Sequence, residues 1–219
     1  MPSLTVENYL KTILQICGLT GERPAATGAI AEALDVAPGT VTSMLKTLSE
    51  SGLATYTPYE GARLTAQGSA LALRVMRRHR LIELFLATTL KLSWDEVHEE
   101  AENMEHAVSD LLIDKIDAFL GFPGVDPHGD PIPRADGTLA EAVGRSLAEC
   151  PGGEKFRFTR VLDQSPEFLR FLTESSLTIG CQGEVKTNRV ESGAMTVLVD
   201  GQLTTLGRDA AQKILVTSS

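Results

Sequence analysis

The chain has 219 residues, 42% of them hydrophobic, which suits one large domain or two to three small ones. Three dispersed cysteines, Cys17, Cys150 and Cys181, form neither a disulfide framework nor a zinc knuckle and fit a reducing cytoplasm. No apolar run is long enough to cross a membrane, and the start MPSLTVENYLKT lacks the basic and apolar regions of a signal peptide.

The net charge of −9 speaks against nucleic acid for the chain as a whole, but the charge is unevenly spread. Residues 1–80 carry eight Lys and Arg against six Asp and Glu, whereas residues 81–219 carry twelve against twenty-three. Only the N-terminal part can face phosphates comfortably.

From Val6 to about Leu19, apolar residues at 6, 10, 13, 14, 16 and 17 have helical spacing, with Asn8 and Lys11 off the stripe. The stretch TGAIAEALDVAPGTVTSMLKTLSESGL (27–53) reads as a helix over Ala29–Leu34, a turn with Pro38 and Gly39, and a second helix over Thr40–Leu48 that ends at Ser51-Gly52. Two short helices around a tight turn make a helix-turn-helix. The following LATYTPYEGARLTAQG (53–68) holds two β-prone runs around Pro58 and Gly61, a hairpin or wing. The order favours a winged helix-turn-helix over an arbitrary small helical domain with a hairpin.

A long helix is expected from Gln67 to about Leu90, basic at its centre in RVMRRHR. Ser93-Trp-Asp-Glu96 has the form of a capping box, opening a helix through His98, Glu102 and His106. Ser109 caps a further helix to Phe119-Leu120. GFPGVDPHGDPIPRADG (121–137), rich in Pro, Gly and Asp, reads as a flexible linker. Beyond about Leu139 the texture is short, β-rich and glycine-punctuated, as in a small barrel with one helix near Glu167–Leu172.

All four histidines, His79, His98, His106 and His128, fall within one 50-residue window. Carried on one helix, His98, Glu102, Glu105 and His106 would share a face, and His79 and Glu83 repeat the i, i+4 spacing on the preceding helix. A solvated acidic surface is the plainer reading, since nine acids lie between Asp95 and Asp117 against the single Lys115. Stacked like charges cost about 0.2–0.5 kcal/mol per pair, however, and a divalent cation reverses that penalty. Carboxylate and imidazole without thiolate favour Mn²⁺, with Fe²⁺ second.

In order along the chain, YLKTI, VAPGTVTSMLKTLSESGL, YTPYEGARLTAQG, VMRRHRLIELFL, VHEEAENMEHAVSD and PHGDPIP resemble the diphtheria toxin repressor family of iron- and manganese-dependent transcriptional regulators. RVLDQSPEFLRFL and LGRDAAQKILV resemble its SH3-like domain. The resemblance covers nearly the whole chain. It implies a mainly α protein with a small β part, in three domains: a winged helix-turn-helix (1–73), a helical dimerisation and metal-binding domain (74–140) and an SH3-like, FeoA-like domain (141–219).

The resemblance also implies a primary metal site of Asn8, Glu102, Glu105 and His106. Glu102 stands where iron-type members have cysteine, which points to manganese. Asn8 stands where iron-type members have methionine and manganese-type members usually have aspartate. Lys11 replaces a glutamate that serves a two-ion cluster in some manganese-type members. For an ancillary site the family offers two ligand sets, which share Glu83. One comprises His79, Glu83 and His98; the other comprises Glu83, Asp126, His128 and Asp163, with Gln164 adjacent.

The implied protein is a cytoplasmic homodimer that binds a palindromic operator and divalent ions, with no membrane partner and no catalytic step. Pro38, Thr40, Thr42 and Ser43 are the candidate base-facing residues, with Thr27 and Gly39 as further DNA-contact candidates. Lys46, Arg63 and the Arg74–Arg80 cluster could meet phosphates, or part of that cluster could instead cover the dimer core. The competing readings are a metal-independent winged-helix regulator and a helical metalloenzyme. Against the enzyme, HEEAE lacks the second histidine of the zinc-protease signature.

Overall fold

The computed structural model describes residues 3–20, 23–141 and 143–219. The chain divides into two compact units: residues 1–79 with 105–108 and 133–138, and residues 80–104 with 109–132 and 139–219.

The first unit begins with helix α1 (Leu4–Thr20), then α2 (Thr27–Ala33) and α3 (Pro38–Glu50). Pro38 opens α3 at a position where its missing N–H costs nothing. Val41, Leu45 and Leu48, spaced i, i+4 and i+7, are the face that α3 buries. They join Tyr9, Leu10 and Ile13 of α1 and Ile30 of α2 in one apolar core. Strands β1 (Ala54–Thr57) and β2 (Gly61–Leu64) pair antiparallel, Thr57 opposite Gly61, to form the wing.

The base of that wing is fixed by a close backbone approach. Ala25 and Ala62 exchange both backbone hydrogen bonds, at 2.8 and 2.9 Å. A β-carbon on Gly61, whose φ is +115°, would stand 2.4 Å from the Ala25 carbonyl oxygen, so only glycine fits. At the tip, Tyr59 is fully exposed and holds φ 68°, an uncommon conformation for a bulky residue. The two helices α2 and α3 and the hairpin agree with the winged helix-turn-helix expected from the sequence, each helix starting two residues early.

Helix α4 (Ala66–Phe85) continues into a π-turn (Leu86–Leu90) that Lys91 closes in a left-handed conformation. In the second unit, the Ser93 N–H and hydroxyl both donate to the Glu96 carboxylate, at 2.9 and 2.7 Å. Helix α5 then runs from Val97 to Met104 and α6 from Asp110 to Phe119. Ser109 caps α6 by accepting from the Leu112 N–H at 3.3 Å.

Two expectations are corrected. Helix α5 stops at Met104, so Glu105 and His106 occupy a turn and do not continue the face of His98 and Glu102. Glu105–Val108 belong to the first unit, where Glu105 is buried in ion pairs that offset the helical hydrogen bonds forgone. The 121–137 stretch is also no free linker. Asp126 Oδ1 accepts from the His128 and Asp130 N–H groups at 2.8 and 2.9 Å, closing a tight loop of the kind Asp side chains make.

The C-terminal part is a six-stranded antiparallel sheet in the order β3-β8-β4-β5-β6-β7. Its strands are β3 (Arg145–Ser146), β4 (Lys155–Val161), β5 (Gln182–Arg189), β6 (Ala194–Val199), β7 (Gln202–Gly207) and β8 (Ile214–Ser218), with α7 (Pro166–Glu174) and α8 (Arg208–Gln212) interspersed. Phe156 and Phe158 of β4 and Met195, Val197 and Val199 of β6 alternate inward, the period of two of a strand with one buried face. Leu169 and Leu172 of α7 close the core, and Trp94 packs against it.

Candidate metal centres

Within the first unit, α1 and the 105–108 turn bring together Glu7, Lys11, Glu105 and His106, with His79 from α4; Asn8 follows Glu7 on α1. Glu105 is fully buried. One of its oxygens is 2.7 Å from Lys11 Nζ and the other 2.6 Å from His79 Nδ1. Burial pushes the Glu105 carboxyl up, but the His79 hydrogen bond and the Lys11 charge outweigh it and hold the group below its ordinary range. Burial and the neighbouring Arg74 charge lower Arg78, against the pull of Glu7 and Glu105.

His106 Nδ1 lies 2.7 Å from Glu7 Oε2. Its Nε2 is 3.1 Å from Glu105 Oε1 without hydrogen-bond geometry. Two buried atoms here have no hydrogen-bond partner among the described residues, Asn8 Oδ1 and His106 Nε2. Leaving such groups unmet costs about 1–3 kcal/mol each, and both are lone-pair donors suited to a hard or borderline cation.

The second cluster is built from α4 and the 126–130 loop. Glu83, Asp126 and His128 are all buried, and each places a ligand atom within 4.8 Å of the others. His128 Nε2 is 2.8 Å from the Trp94 carbonyl oxygen. A carbonyl only accepts, so Nε2 carries the proton and Nδ1 keeps a lone pair in the neutral ring. That Nδ1 is buried with no hydrogen-bond partner among the described residues, and stands 3.8 Å from Glu83 Oε2 and 4.0 Å from Asp126 Oδ1.

His98, half exposed, reaches Glu83 Oε1 through Nδ1 at 3.2 Å, with its Nε2 3.9 Å from Glu102. Burial, then the charges of Asp130 and Glu83, raise the Asp126 carboxyl well above its ordinary value, against Arg80 and the Asp130 N–H. Buried carboxylates that repel one another beside an imidazole lone pair fit a divalent ion.

The sequence-derived candidates are thus distributed. Glu105, His106 and His79 come together in the first unit, where Asn8 follows the His106-bound Glu7 on α1; Glu83, Asp126 and His128 come together in the second, with His98 beside Glu83. Glu102 lies on α5 in the second unit. Asp163 is engaged elsewhere: Oδ2 pairs with Lys213 at 2.7 Å and Oδ1 accepts from the Ser165 N–H at 2.9 Å. Gln164 donates to Asp130 Oδ2 at 3.0 Å. Glu7 and Asp130 were missed. In the sequence Glu7 looks like an ordinary first-turn acid, and only its place beside Asn8 could have drawn notice.

On α3, Pro38, Gly39, Thr40, Ser43 and Lys46 are exposed, as is Arg63 on the wing, while Thr27 is half-buried at the start of α2. The half-buried Thr42 donates its hydroxyl to the Pro38 carbonyl at 3.0 Å. Arg77, Arg78 and Arg80 are buried, so of the two readings of the basic cluster these members do not fit the phosphate-facing one. Arg80 instead reaches Asp130, Asp126 and the Pro131 carbonyl.

Three family descriptions cover this architecture in order. Residues 1–62 match the iron dependent repressor N-terminal DNA binding domain, 65–134 its metal binding and dimerisation domain, and 145–218 the FeoA domain. The iron-dependent repressor IdeR of Mycobacterium tuberculosis is 33% identical over 183 residues, 83% of this chain and 75% of that protein. The chain belongs to the diphtheria toxin repressor family. The diphtheria toxin repressor of Corynebacterium diphtheriae is itself 33% identical over 168 residues, 76% of this chain and 69% of that protein.

Solved structures of the family agree over the full length. A manganese-dependent transcriptional repressor in complex with manganese is 38% identical with a TM-score of 0.86, covering 98% of this chain and 100% of that one. ScaR with bound Zn²⁺ is 32% identical with a TM-score of 0.80, covering 100% of both chains.

Proposed function

We propose that this chain is a metal-sensing, DNA-binding transcriptional repressor that responds to Mn²⁺, with Fe²⁺ as the alternative ion, and controls metal-homeostasis genes. The observation that carries the reading is the pair of oxygen-and-nitrogen clusters in a chain that also has an exposed recognition helix. Each cluster contains a buried imidazole nitrogen with no hydrogen-bond partner among the described residues. Neither has a thiolate, a donor set favourable to manganese over softer ions. Relatives that are manganese- and iron-dependent repressors support the same reading.

Asn8, Glu105 and His106 are the proposed ligands in the first unit. Glu102 is added on the family resemblance. Glu83, Asp126 and His128 are the proposed ligands of the second site. The division into 1–73, 74–140 and 141–219 remains our reading of the functional modules.

Operator binding uses the exposed α3 face, Gly39, Thr40, Ser43 and Lys46, in a major groove, with Arg63 of the wing on phosphate. A homodimer on a palindrome is supported by α6, which exposes the large apolar side chains Leu111, Leu112 and Phe119 that a second copy could cover. No catalytic step is needed. Metal acts by linkage: an ion preferring the DNA-binding conformation by about 1–3 kcal/mol shifts operator affinity roughly 5–150-fold.

The test is operator binding titrated against each metal in a chelated buffer. Binding should require Mn²⁺ or Fe²⁺, vanish with chelator and weaken steeply with salt. Equal specific binding by demetallated protein overturns the sensor reading.

A further inference from the structure

We infer that Glu7 is a positioning residue for the sensor: its carboxylate holds His106 in the Nδ1–H tautomer and so keeps the Nε2 lone pair available to a divalent ion. This inference rests on the metal-sensing reading above.

The geometry is specific. Glu7 Oε2 lies 2.7 Å from His106 Nδ1, and both side chains are nearly buried. An ionised carboxylate can only accept, so Nδ1 carries the proton. The neutral ring then has its lone pair on Nε2. That atom is buried without a hydrogen-bond partner among the described residues, beside Glu105 Oε1 at 3.1 Å. Had Nε2 carried the proton, it would be a donor next to an acceptor without a hydrogen-bond angle.

Glu105 itself does not need the imidazole, since Lys11 and His79 already donate to its two oxygens. A carboxylate behind an imidazole also raises the basicity of the opposite nitrogen, as second partners of metal-bound histidines do.

The adjacent residue completes the arrangement. Asn8 Oδ1 is also buried without a hydrogen-bond partner among the described residues and, as a lone-pair oxygen, could serve as a ligand. Two neighbouring positions of α1 therefore act on one site in different ways, Asn8 offering an oxygen and Glu7 orienting a nitrogen. The orienting contact ties the helix that leads the DNA-binding fold to a turn 99 residues away in sequence.

The test uses the full chain and the variants Glu7→Gln and Glu7→Ala. Nitrogen-15 spectra of metal-free wild type should show His106 protonated at Nδ1, and a Cd²⁺ titration should move its Nε2 resonance. In both variants the Nδ1–H population should fall. Calorimetry with manganese chloride should show about 10–100-fold weaker binding at this site, with the second site unchanged.

Glu7→Gln, whose amide oxygen still accepts from Nδ1–H, should lose less than Glu7→Ala. It also guards against misfolding of the alanine variant. A structural role alone would change stability without moving the tautomer. An Nε2–H ring in wild type, Cd²⁺ on Nδ1, or unchanged Mn²⁺ affinity in both variants overturns the inference. Wild type that binds no Mn²⁺ at all would overturn the sensor reading itself, which is a separate result.

Discussion

Lys11 on α1 and Glu105, 94 residues later, form a buried ion pair at 2.7 Å. The ammonium places a fixed positive charge against the carboxylate that the metal site would use. Removing one partner of a buried pair leaves the other charge uncompensated. Lys11→Met should therefore destabilise metal-free protein by about 3 kcal/mol, read by urea unfolding. Saturating Mn²⁺ should recover much of that loss, because the ion restores positive charge beside Glu105. An equal loss with and without metal would mean that Glu105 does not meet the ion.

The second site sets up a pH dependence of definite sign. The Asp126 carboxyl is raised in the folded protein by burial and by Asp130 and Glu83. A raised folded-state value contributes stability fully below the unfolded value, about 3.9 for Asp, and loses it as pH rises through the folded value. Metal-free wild type should thus lose stability relative to Asp126→Asn across that window. Mn²⁺ must displace the proton there, so binding should release it, as calorimetry in buffers of differing ionisation heat would register. Proton release that is the same in Asp126→Asn would rule out this assignment.

Glu102 on α5 carries the choice of ion in our reading. Glu102→Cys replaces a hard carboxylate with a soft thiolate, which should lower the Mn²⁺ response of operator binding while keeping or raising the response to Fe²⁺ or Cd²⁺. Mobility shifts with each ion measure this directly. An unchanged Mn²⁺ response would remove Glu102 from the ligand set.

What the sequence disclosed depended on range. The recognition helix was legible because Val41, Leu45 and Leu48 mark its buried face and Ser51-Gly52 its end within one short stretch, although Pro38, read as part of the turn, is its first residue. Ser109 was legible as a cap for the same reason. The end of α5 at Met104 was not, because no glycine or proline marks it. The turn is tied to the first unit by contacts of Glu105 with Lys11 and His79, remote in sequence. Glu7 was hidden in the same way, since its meaning depends on His106. The 121–137 stretch misled through composition: Pro, Gly and Asp suit a linker, yet here Asp126 orders a loop and Gly129 permits a close approach that only the fold reveals.

That loop changes what metal should do to the C-terminal barrel. Asp130 accepts from Arg80 at 3.3 Å, from Gln164 at 3.0 Å and from Arg160 Nε of β4. The Val161 N–H donates to the His128 carbonyl at 3.0 Å. A β-carbon on Gly129 would meet the Thr159 carbonyl oxygen at 2.0 Å, so backbone packs on backbone with no room for a side chain. None of these contacts involves the lone pairs of Glu83 or His128 that an ion would use. The C-terminal end of β4 is therefore held by a hydrogen-bonded latch separate from metal coordination. Glu83→Ala should remove one bound Mn²⁺ per subunit, counted by calorimetry, yet leave hydrogen exchange at the Val161 amide near the wild-type rate. Asp130→Ala removes the carboxylate that Arg160 and Arg80 share, leaving Arg80 the Asp126 carboxylate at 3.7 Å, and should lower local protection by about 3 kcal/mol, roughly a hundredfold in exchange rate. If Glu83→Ala or a chelator alone speeds Val161 exchange as much as Asp130→Ala does, metal holds the end of β4 and the latch does not.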